Sequence, residues 1–203
     1  MDEEALAKQQ LRRQVAISRG ARSPERQSAA ADALAARVVQ LPELVAGSVV
    51  AAYVSVGDEP GTRPLLASLL SGGHRVLLPV LRPDQDLDWG ELTDLAGLHP
   101  GRRGLPEPVG PRLGPDAVAD MAVVVCPGLA GDQTGARLGR GGGSYDRALA
   151  RCDATTWRCL LLYDDEQLPA GEVPVEPHDQ QVHALVTPGA LVRCRTSFTT
   201  APW

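Results

Sequence analysis

The chain has 203 residues, of which 43% are apolar and 3% aromatic, and its net charge is −5. A chain of this length fits one domain and can bury roughly 70% of its unfolded surface, so it needs neither disulfides nor a structural metal. Its acids and bases are spread along the sequence, which argues against general binding to nucleic acids or to an anionic membrane surface. Basic binding sites must therefore be local.

Neither a membrane span nor a secretory signal is apparent. No apolar run approaches the roughly 18 residues of a transmembrane helix, and the first ten residues are polar. The cysteines lie in apolar segments without a C-x-x-C pair, which favours reduced thiols over zinc ligands; they are Cys126, Cys152, Cys159 and Cys194. We expect a cytoplasmic monomer that binds neither nucleic acids nor membranes.

Two helices are predicted at the amino terminus. Residues 3–19 are good helix formers without Pro or Gly, and Ser23 caps a second helix that continues to residue 40. Lys8 and Arg12 lie four residues apart and so share one face of the first helix. Lys8 is the only lysine among 20 basic residues. Composition alone leaves two explanations open for Lys8: its site needs the compact charge of an ammonium group, or the lysine is present by chance.

Short apolar runs then predict the strands of a buried sheet, at residues 48–54, 75–81, 121–132, 157–164 and 181–188. A helix that Thr62 caps lies between the first two strands, which makes a βαβ unit. The predicted fold is a single three-layer α/β domain over residues 1–193, with a mostly parallel central sheet flanked by helices. Residues 82–115 are predicted to be a long excursion with a small hairpin, and residues 194–203 a flexible tail.

The densest polar chemistry lies in the segment RLGRGGGSYD, residues 137–146. Its three consecutive glycines can adopt positive φ and let backbone N–H groups converge on an anion. Arg137 and Arg140 add charged donors, and Ser144 is a candidate N-cap of the helix that follows. The pattern matches neither a Walker A loop nor a dinucleotide fingerprint. It favours a phosphate site, while the alternative is a flexible turn with a capping serine.

Acidic residues follow several of the predicted strands, at the edge where open α/β sheets place ligands. Glu59, Asp146 and Asp179 are candidates of this kind, and together with the basic residues they would suit a triphosphate with a magnesium ion. Asp132 is better explained as a cap or a solvated loop residue. The sequence shows no arrangement of Ser, His and Asp, or of Cys and His, that indicates a covalent nucleophile.

The segment PGLAGDQTGARLGRGGGSYDR resembles the signature of the 5-formyltetrahydrofolate cyclo-ligase family. The resemblance extends in the family's order to KQQLR, YVSVGDEPGT, GLPEP and VPVEPHDQQVHALVTP, and so covers almost the whole chain. It implies an enzyme that uses ATP and Mg²⁺ to convert 5-formyltetrahydrofolate to 5,10-methenyltetrahydrofolate, with release of ADP and phosphate. It further implies that ATP phosphorylates the formyl oxygen before N10 attacks the activated carbon.

The resemblance also assigns roles to residues of this chain. The catalytic residues would be Lys8, Arg140 and Tyr145. The ATP-binding residues would be Lys8, Arg12, Arg137, Leu138, Gly139, Arg140, Gly141, Gly142, Gly143, Ser144 and Tyr145. Tyr53, Glu59 and Tyr145 would bind the reduced folate, and Asp146 and Asp179 would bind Mg²⁺.

Three residues depart from the family pattern, because Arg103, Gly131 and Ser144 stand where the family commonly has aromatic side chains. Aromatic faces stack on flat ligands, so the interpretation is that a folate pocket has lost stacking surface. Two alternatives to the cyclo-ligase follow. One is a homologue that binds Mg-ATP but acts on another substrate, and the other is a non-catalytic nucleotide-binding protein.

Overall fold

The computed structural model describes residues 3–196. Its helices are α1 (Glu3–Gly20), α2 (Pro24–Val38), α3 (Arg63–Ser71) and α4 (Ser144–Ala150). Its strands are β1 (Val49–Ala51), β2 (Arg75–Leu81), β3 (Leu87–Leu92), β4 (His99–Pro100), β5 (Pro106–Glu107), β6 (Val123–Pro127), β7 (Ala130–Asp132), β8 (Arg137–Leu138), β9 (Trp157–Leu161), β10 (Gln167–Leu168), β11 (Ala184–Val186) and β12 (Leu191–Arg193). One-turn 3₁₀ helices lie at Leu95–Gly97, Arg102–Gly104, Pro115–Val118 and Asp164–Glu166.

Seven strands form the central sheet, in the order β12-β11-β9-β6-β1-β2-β3. The five inner strands are parallel, and an antiparallel strand covers each edge. The pair β1 and β2 is joined by α3, as the predicted βαβ unit requires. The predicted α/β class with a mostly parallel sheet is therefore confirmed.

Successive residues of β6 show how the sheet separates two layers of core. Val123 and Val125 pack into the cluster that contains Leu65 and Leu66 of α3. Val124 and Cys126 belong to the cluster that contains Leu149 of α4, on the opposite face. This alternation follows from the period of two in a strand, and it places helices on both faces of the sheet.

The second helix begins as predicted, because the Ser23 hydroxyl accepts a hydrogen bond from the backbone N–H of Arg26 at 3.4 Å. Thr62 also precedes its helix, but its hydroxyl accepts from the N–H of Ser55 at 2.9 Å instead of capping the helix. The predicted strand 75–81 has the predicted bounds, while those at 48–54, 157–164 and 181–188 are shorter than expected.

The prediction of one strand over residues 121–132 was wrong, because two separate strands, β6 and β7, lie there. β6 ends at Pro127, and the N–H of Leu129 then donates to the carbonyl of Leu138 at 2.7 Å. This turn places β7 in a separate three-stranded sheet with β8 and β10. Asp132 is fully buried there and accepts hydrogen bonds from the N–H groups of Thr134 and Gly171. Its role is structural, as interpreted, but it is not solvated.

The predicted excursion at 82–115 contains the expected hairpin, in which β4 pairs with β5. It also contains β3, which the sequence reading missed and which pairs with β2 along its whole length. A short signal was present, since Leu87 and Trp89 alternate with Asp88, and Trp89 is fully buried.

The predicted tail from residue 194 begins with two anchored residues. The N–H groups of Cys194 and Arg195 donate to the carbonyls of His183 and Gln133, each at 2.8 Å. Residues 197–203 lie outside the described residues. All four cysteines are free thiols. No helix within residues 3–196 is long and apolar enough to cross a membrane.

A buried ion pair attaches α1 to the rest of the domain. Arg19 donates from Nε and Nη2 to the two carboxylate oxygens of Glu166, at 2.7 and 2.8 Å, and both side chains are at most 3% exposed. The same guanidinium donates to the carbonyl of Gly128 at 2.7 Å. This bidentate geometry fixes the carboxyl-terminal part of α1 and thereby the direction of the whole helix.

We expect the Arg19→Met variant to lose about 3 kcal/mol of unfolding free energy, because the buried Glu166 would lose its bidentate partner and keep only Arg22, 3.9 Å away, as a cationic neighbour. Chemical denaturation measures this loss. The matched control is Arg13→Met, at an exposed position of the same helix. Equal stability of the two variants would contradict the importance of the pair.

Candidate functional site

A cleft of about 560 Å³ opens where α1, the loop between β8 and α4, and the ends of several sheet strands meet. All the residues predicted to bind ATP, folate or metal line it: Lys8, Arg12, Tyr53, Glu59, Arg137, Leu138, Gly139, Arg140, Gly141, Gly142, Gly143, Ser144, Tyr145, Asp146 and Asp179. The tertiary structure thus brings together segments that are widely separated in the sequence.

Lys8 lies in the polar part of this cleft, buried between two carboxylates. Its Nζ is 2.6 Å from Oε2 of Glu176 and 2.6 Å from Oδ2 of Asp179. Burial opposes the charge of Lys8, but its hydrogen bonds to Asp179 and Glu176 outweigh burial and raise the pKa of the ammonium group. Burial likewise opposes the charge of Asp179, and the bond from Lys8 with that from the Glu176 N–H lowers its pKa. Lys8 is therefore charged and held in place.

The glycine segment, residues 139–143, forms one side of the cleft. Gly141 and Gly143 have φ values of +95° and +67°, a conformation that L side chains rarely adopt. Arg12 of α1 donates from Nε to the carbonyl of Gly139 at 2.9 Å. The first helix therefore holds the glycine segment directly.

The predicted N-cap role of Ser144 was wrong. Gly143 occupies the N-cap position of α4, and Ser144 is the first residue of the helix. The Ser144 hydroxyl donates to the backbone carbonyl of Gln85, which also accepts from Nη2 of Arg147 at 2.7 Å. Ser144 therefore links α4 to the turn between β2 and β3.

The two predicted metal ligands each keep one carboxylate oxygen outside the hydrogen bonds of the described residues. Asp146 accepts on Oδ1 from Arg137 at 2.6 Å and from the N–H of Gln180 at 3.2 Å. Asp179 accepts on Oδ2 from Lys8 and from the N–H of Glu176. Carboxylate oxygens are the ligands that Mg²⁺ prefers, so the residues present fit this ion.

Tyr53, Glu59 and Tyr145 form another part of the cleft. Burial raises the pKa of both phenols well above the ordinary value of 10, and the charge of Glu59 raises it further. Both hydroxyl groups are buried and make no hydrogen bond with a described residue. Glu59 pairs with Arg140 at 2.9 Å, and because Arg140 is 64% exposed, this ion pair is weak and exchangeable.

Sequence reading missed Glu176, His178 and Gln85 as residues of this site. Ligand atoms of Glu176, His178 and Asp179 all lie within 4.8 Å of one another. The segment EPHD contains the first two, and its density of polar groups was a usable signal. Gln85 carried none, because only the packing of the turn between β2 and β3 brings it beside Ser144.

The family model of the 5-formyltetrahydrofolate cyclo-ligase family matches residues 4–188. The chain belongs to this family. It is 43% identical over 149 residues to the 5-formyltetrahydrofolate cyclo-ligase of Mycolicibacterium smegmatis, a match that covers 71% of this chain and 75% of the relative. It is 34% identical over 179 residues to the Escherichia coli protein of the same name, covering 85% and 96%.

A solved structure agrees with this assignment. The chain resembles the 5,10-methenyltetrahydrofolate synthetase of Aquifex aeolicus with a TM-score of 0.79 and 28% identity. The match covers 93% of each chain. The cyclo-ligase family and its fold therefore extend over nearly all of the sequence.

One of the three departures from the cyclo-ligase pattern does not concern the cleft. Arg103 and Ser144 line it, but Gly131 does not. Gly131 is buried in β7, where an added Cβ would lie 2.7 Å from Leu160 and 2.8 Å from Leu185. Its interpretation as stacking surface lost from a folate pocket is therefore wrong, because neighbouring leucines occupy the space.

We expect Gly131→Ala to lower the unfolding free energy by about 2 kcal/mol, because the methyl group would overpack the interior. Gly97→Ala is the control, since nothing lies within 4 Å of a Cβ at that position. Denaturant titration of both variants measures the difference. A Gly131→Ala protein as stable as the control would contradict the packing described.

Proposed function

We propose that this protein is a 5-formyltetrahydrofolate cyclo-ligase, which converts 5-formyltetrahydrofolate and ATP to 5,10-methenyltetrahydrofolate, ADP and phosphate. The proposal rests on family membership and, above all, on one structural observation. A single cleft contains a charged lysine, a glycine-rich segment with arginines, paired acids and two buried phenols. These groups suit a triphosphate at one side and a flat polar ligand at the other.

The reaction explains why such groups are needed. A formamide carbonyl is a poor electrophile, so its oxygen first takes the γ-phosphoryl group of ATP. N10 of the folate then attacks the activated carbon and loses its proton, and the former formyl oxygen leaves within inorganic phosphate. Phosphoryl transfer requires mainly alignment of the two substrates and neutralisation of charge.

Lys8 and the arginines would supply most of this neutralisation. Lys8 is a charged group held at the cleft by two carboxylates, so little reorganisation is needed when a phosphate approaches. Arg12 and Arg137 are fixed by their bonds to Gly139 and Asp146. Backbone N–H groups of Gly139 and of the glycines at 141–143 would bind phosphate oxygens beside them.

Asp146 and Asp179 would hold Mg²⁺ through the oxygens that their hydrogen bonds leave available. When bound, the ion neutralises charge on the triphosphate. Arg137 orients Asp146 and Lys8 orients Asp179, so the phosphate ligands and the metal ligands support one another.

The folate would lie against Tyr53, Glu59 and Tyr145. Buried hydroxyl groups without partners are costly, and a ligand with hydrogen-bonding edges removes that cost when it binds. Glu59 would exchange its ion pair with Arg140 for a contact with the folate. Arg140 would then be free to contact the γ-phosphoryl group that is transferred. The cytoplasmic location and monomeric state expected from the sequence stay predictions.

A direct assay tests the proposal. Purified protein is incubated with ATP, Mg²⁺ and 5-formyltetrahydrofolate, and the near-ultraviolet absorbance of the methenyl product is followed. We expect product formation that depends on both ATP and Mg²⁺. Binding of ATP without product would favour a homologue with another substrate or a non-catalytic nucleotide-binding protein, and the absence of ATP binding would contradict all three.

We expect Lys8→Ala to lower turnover by roughly 100-fold or more, since a positioned charge on the transferred group is lost. The variant leaves Glu176 and Asp179 without their counter-ion, so thermal unfolding and folate binding are measured alongside turnover. Arg13→Met on the same helix serves as the control. Normal turnover by a folded Lys8→Ala protein would exclude the role assigned to Lys8.

A further inference from the structure

The Lys and Arg side chains that line the cleft differ in whether they already bind another group of the protein. Lys8 contacts two carboxylates, Arg12 a carbonyl oxygen, Arg137 Asp146, and Arg140 Glu59. Arg103 lines the same cleft, and its guanidinium forms no ion pair or hydrogen bond with any residue in the range 3–196. Within residues 3–196 it is therefore the lining Lys or Arg side chain whose charged group has no contact with another part of the protein, so a ligand meets the whole guanidinium unpaired.

Several contacts define the turn that carries Arg103, an exposed residue whose φ is +55°. The N–H of Gly101 donates to the carbonyl of Leu105 at 2.8 Å, and Glu107, which is buried, accepts from the N–H of Arg102 at 3.3 Å and from Arg112 at 3.0 Å. An added Cβ at Gly101 would lie 2.0 Å from the Glu107 side chain, so the two residues pack without space between them. These contacts hold Arg103 at the cleft independently of its own side chain.

The surroundings of Arg103 differ from those of the phosphate-binding residues. Leu105 and Pro106 follow it on the hairpin, and Pro79, Leu81 and Leu87 of β2 and β3 line the cleft as well. Since β5 contacts β2 and β2 pairs with β3, these residues form one apolar wall. Lys8, Arg12 and the glycine segment come from other elements and form the polar wall.

We infer that Arg103 binds the carboxylates of the glutamate at the end of the folate substrate. A reduced folate carries, in order, a pterin, an aromatic aminobenzoyl ring and a glutamate with two carboxylates. The apolar wall suits the ring, and a free guanidinium on the same wall suits the carboxylates, which it can bind through two parallel hydrogen bonds. The inference rests on the proposed function and specifies which end of the substrate this wall receives.

This role also gives a physical meaning to the departure of Arg103 from the family pattern. An aromatic residue at the same position can contact only the flat parts of the ligand. Arginine presents a flat group that also carries a charge, so affinity shifts from stacking towards recognition of an anion. Arg103 is thus a specificity-determining residue for the anionic form of the substrate.

The test compares 5-formyltetrahydrofolate with the dimethyl ester of its glutamate, in which both carboxylates are neutral. For Arg103→Gln we expect KM, and Kd measured by calorimetry without ATP, to rise roughly fivefold for the free acid and to stay unchanged for the ester. The KM for ATP should not change. Added salt should weaken the wild-type preference for the acid over the ester.

Arg102→Gln is the matched control, because it removes the same charge from an exposed neighbour that does not line the cleft. Thermal unfolding checks that both variants are folded. An equal loss for acid and ester, no loss for either, or a higher KM for ATP alone would overturn the inference. Failure of the proposed function is distinguishable, since in that case the wild-type protein would form no methenyl product.

Discussion

The ammonium group of Lys8 joins the first helix to a loop near the other end of the chain, across 168 and 171 residues of sequence to Glu176 and Asp179. The buried ammonium group stays charged because its hydrogen bonds to the two carboxylates offset the cost of its desolvation. The triad of Lys8, Glu176 and Asp179 joins α1 to the EPHD segment, and Arg12 of the same helix binds the glycine segment. The polar half of the cleft depends on this arrangement.

The other half of the cleft has a different origin. β3 adds an antiparallel edge to the parallel sheet, and the hairpin of β4 and β5 packs on β2 beside it. Their apolar residues line the same cleft as the charged residues of α1 and the glycine segment. One cavity can therefore align a triphosphate with a flat, mostly uncharged ring system, which is the alignment that phosphorylation of a formyl oxygen requires.

The departures from the family pattern have three separate explanations. Gly131 is required by close packing of Leu160 and Leu185 and does not touch the cleft. Ser144 uses its hydroxyl to bind the carbonyl of Gln85. Arg103 replaces an aromatic surface with a charge. A missing aromatic side chain thus has no single meaning, and only the neighbours of each position decide whether packing, a hydrogen bond or ligand recognition is affected.

The sequence by itself determined the α/β class, the βαβ unit, the first two helices and a phosphate-suited glycine segment, because hydrophobic period, caps and glycine conformation are local properties. Its resemblance to the family selected residues that the structure then places around one cleft. The strand β3 and the site residues Glu176 and His178 had signals in the sequence that the reading did not use. Only the tertiary structure decided the end of β6, the N-cap at Gly143 and the place of Gln85 in the cleft. These depend on contacts between distant segments, in which a backbone carbonyl or a neighbouring leucine outweighs the local preference of the residue concerned.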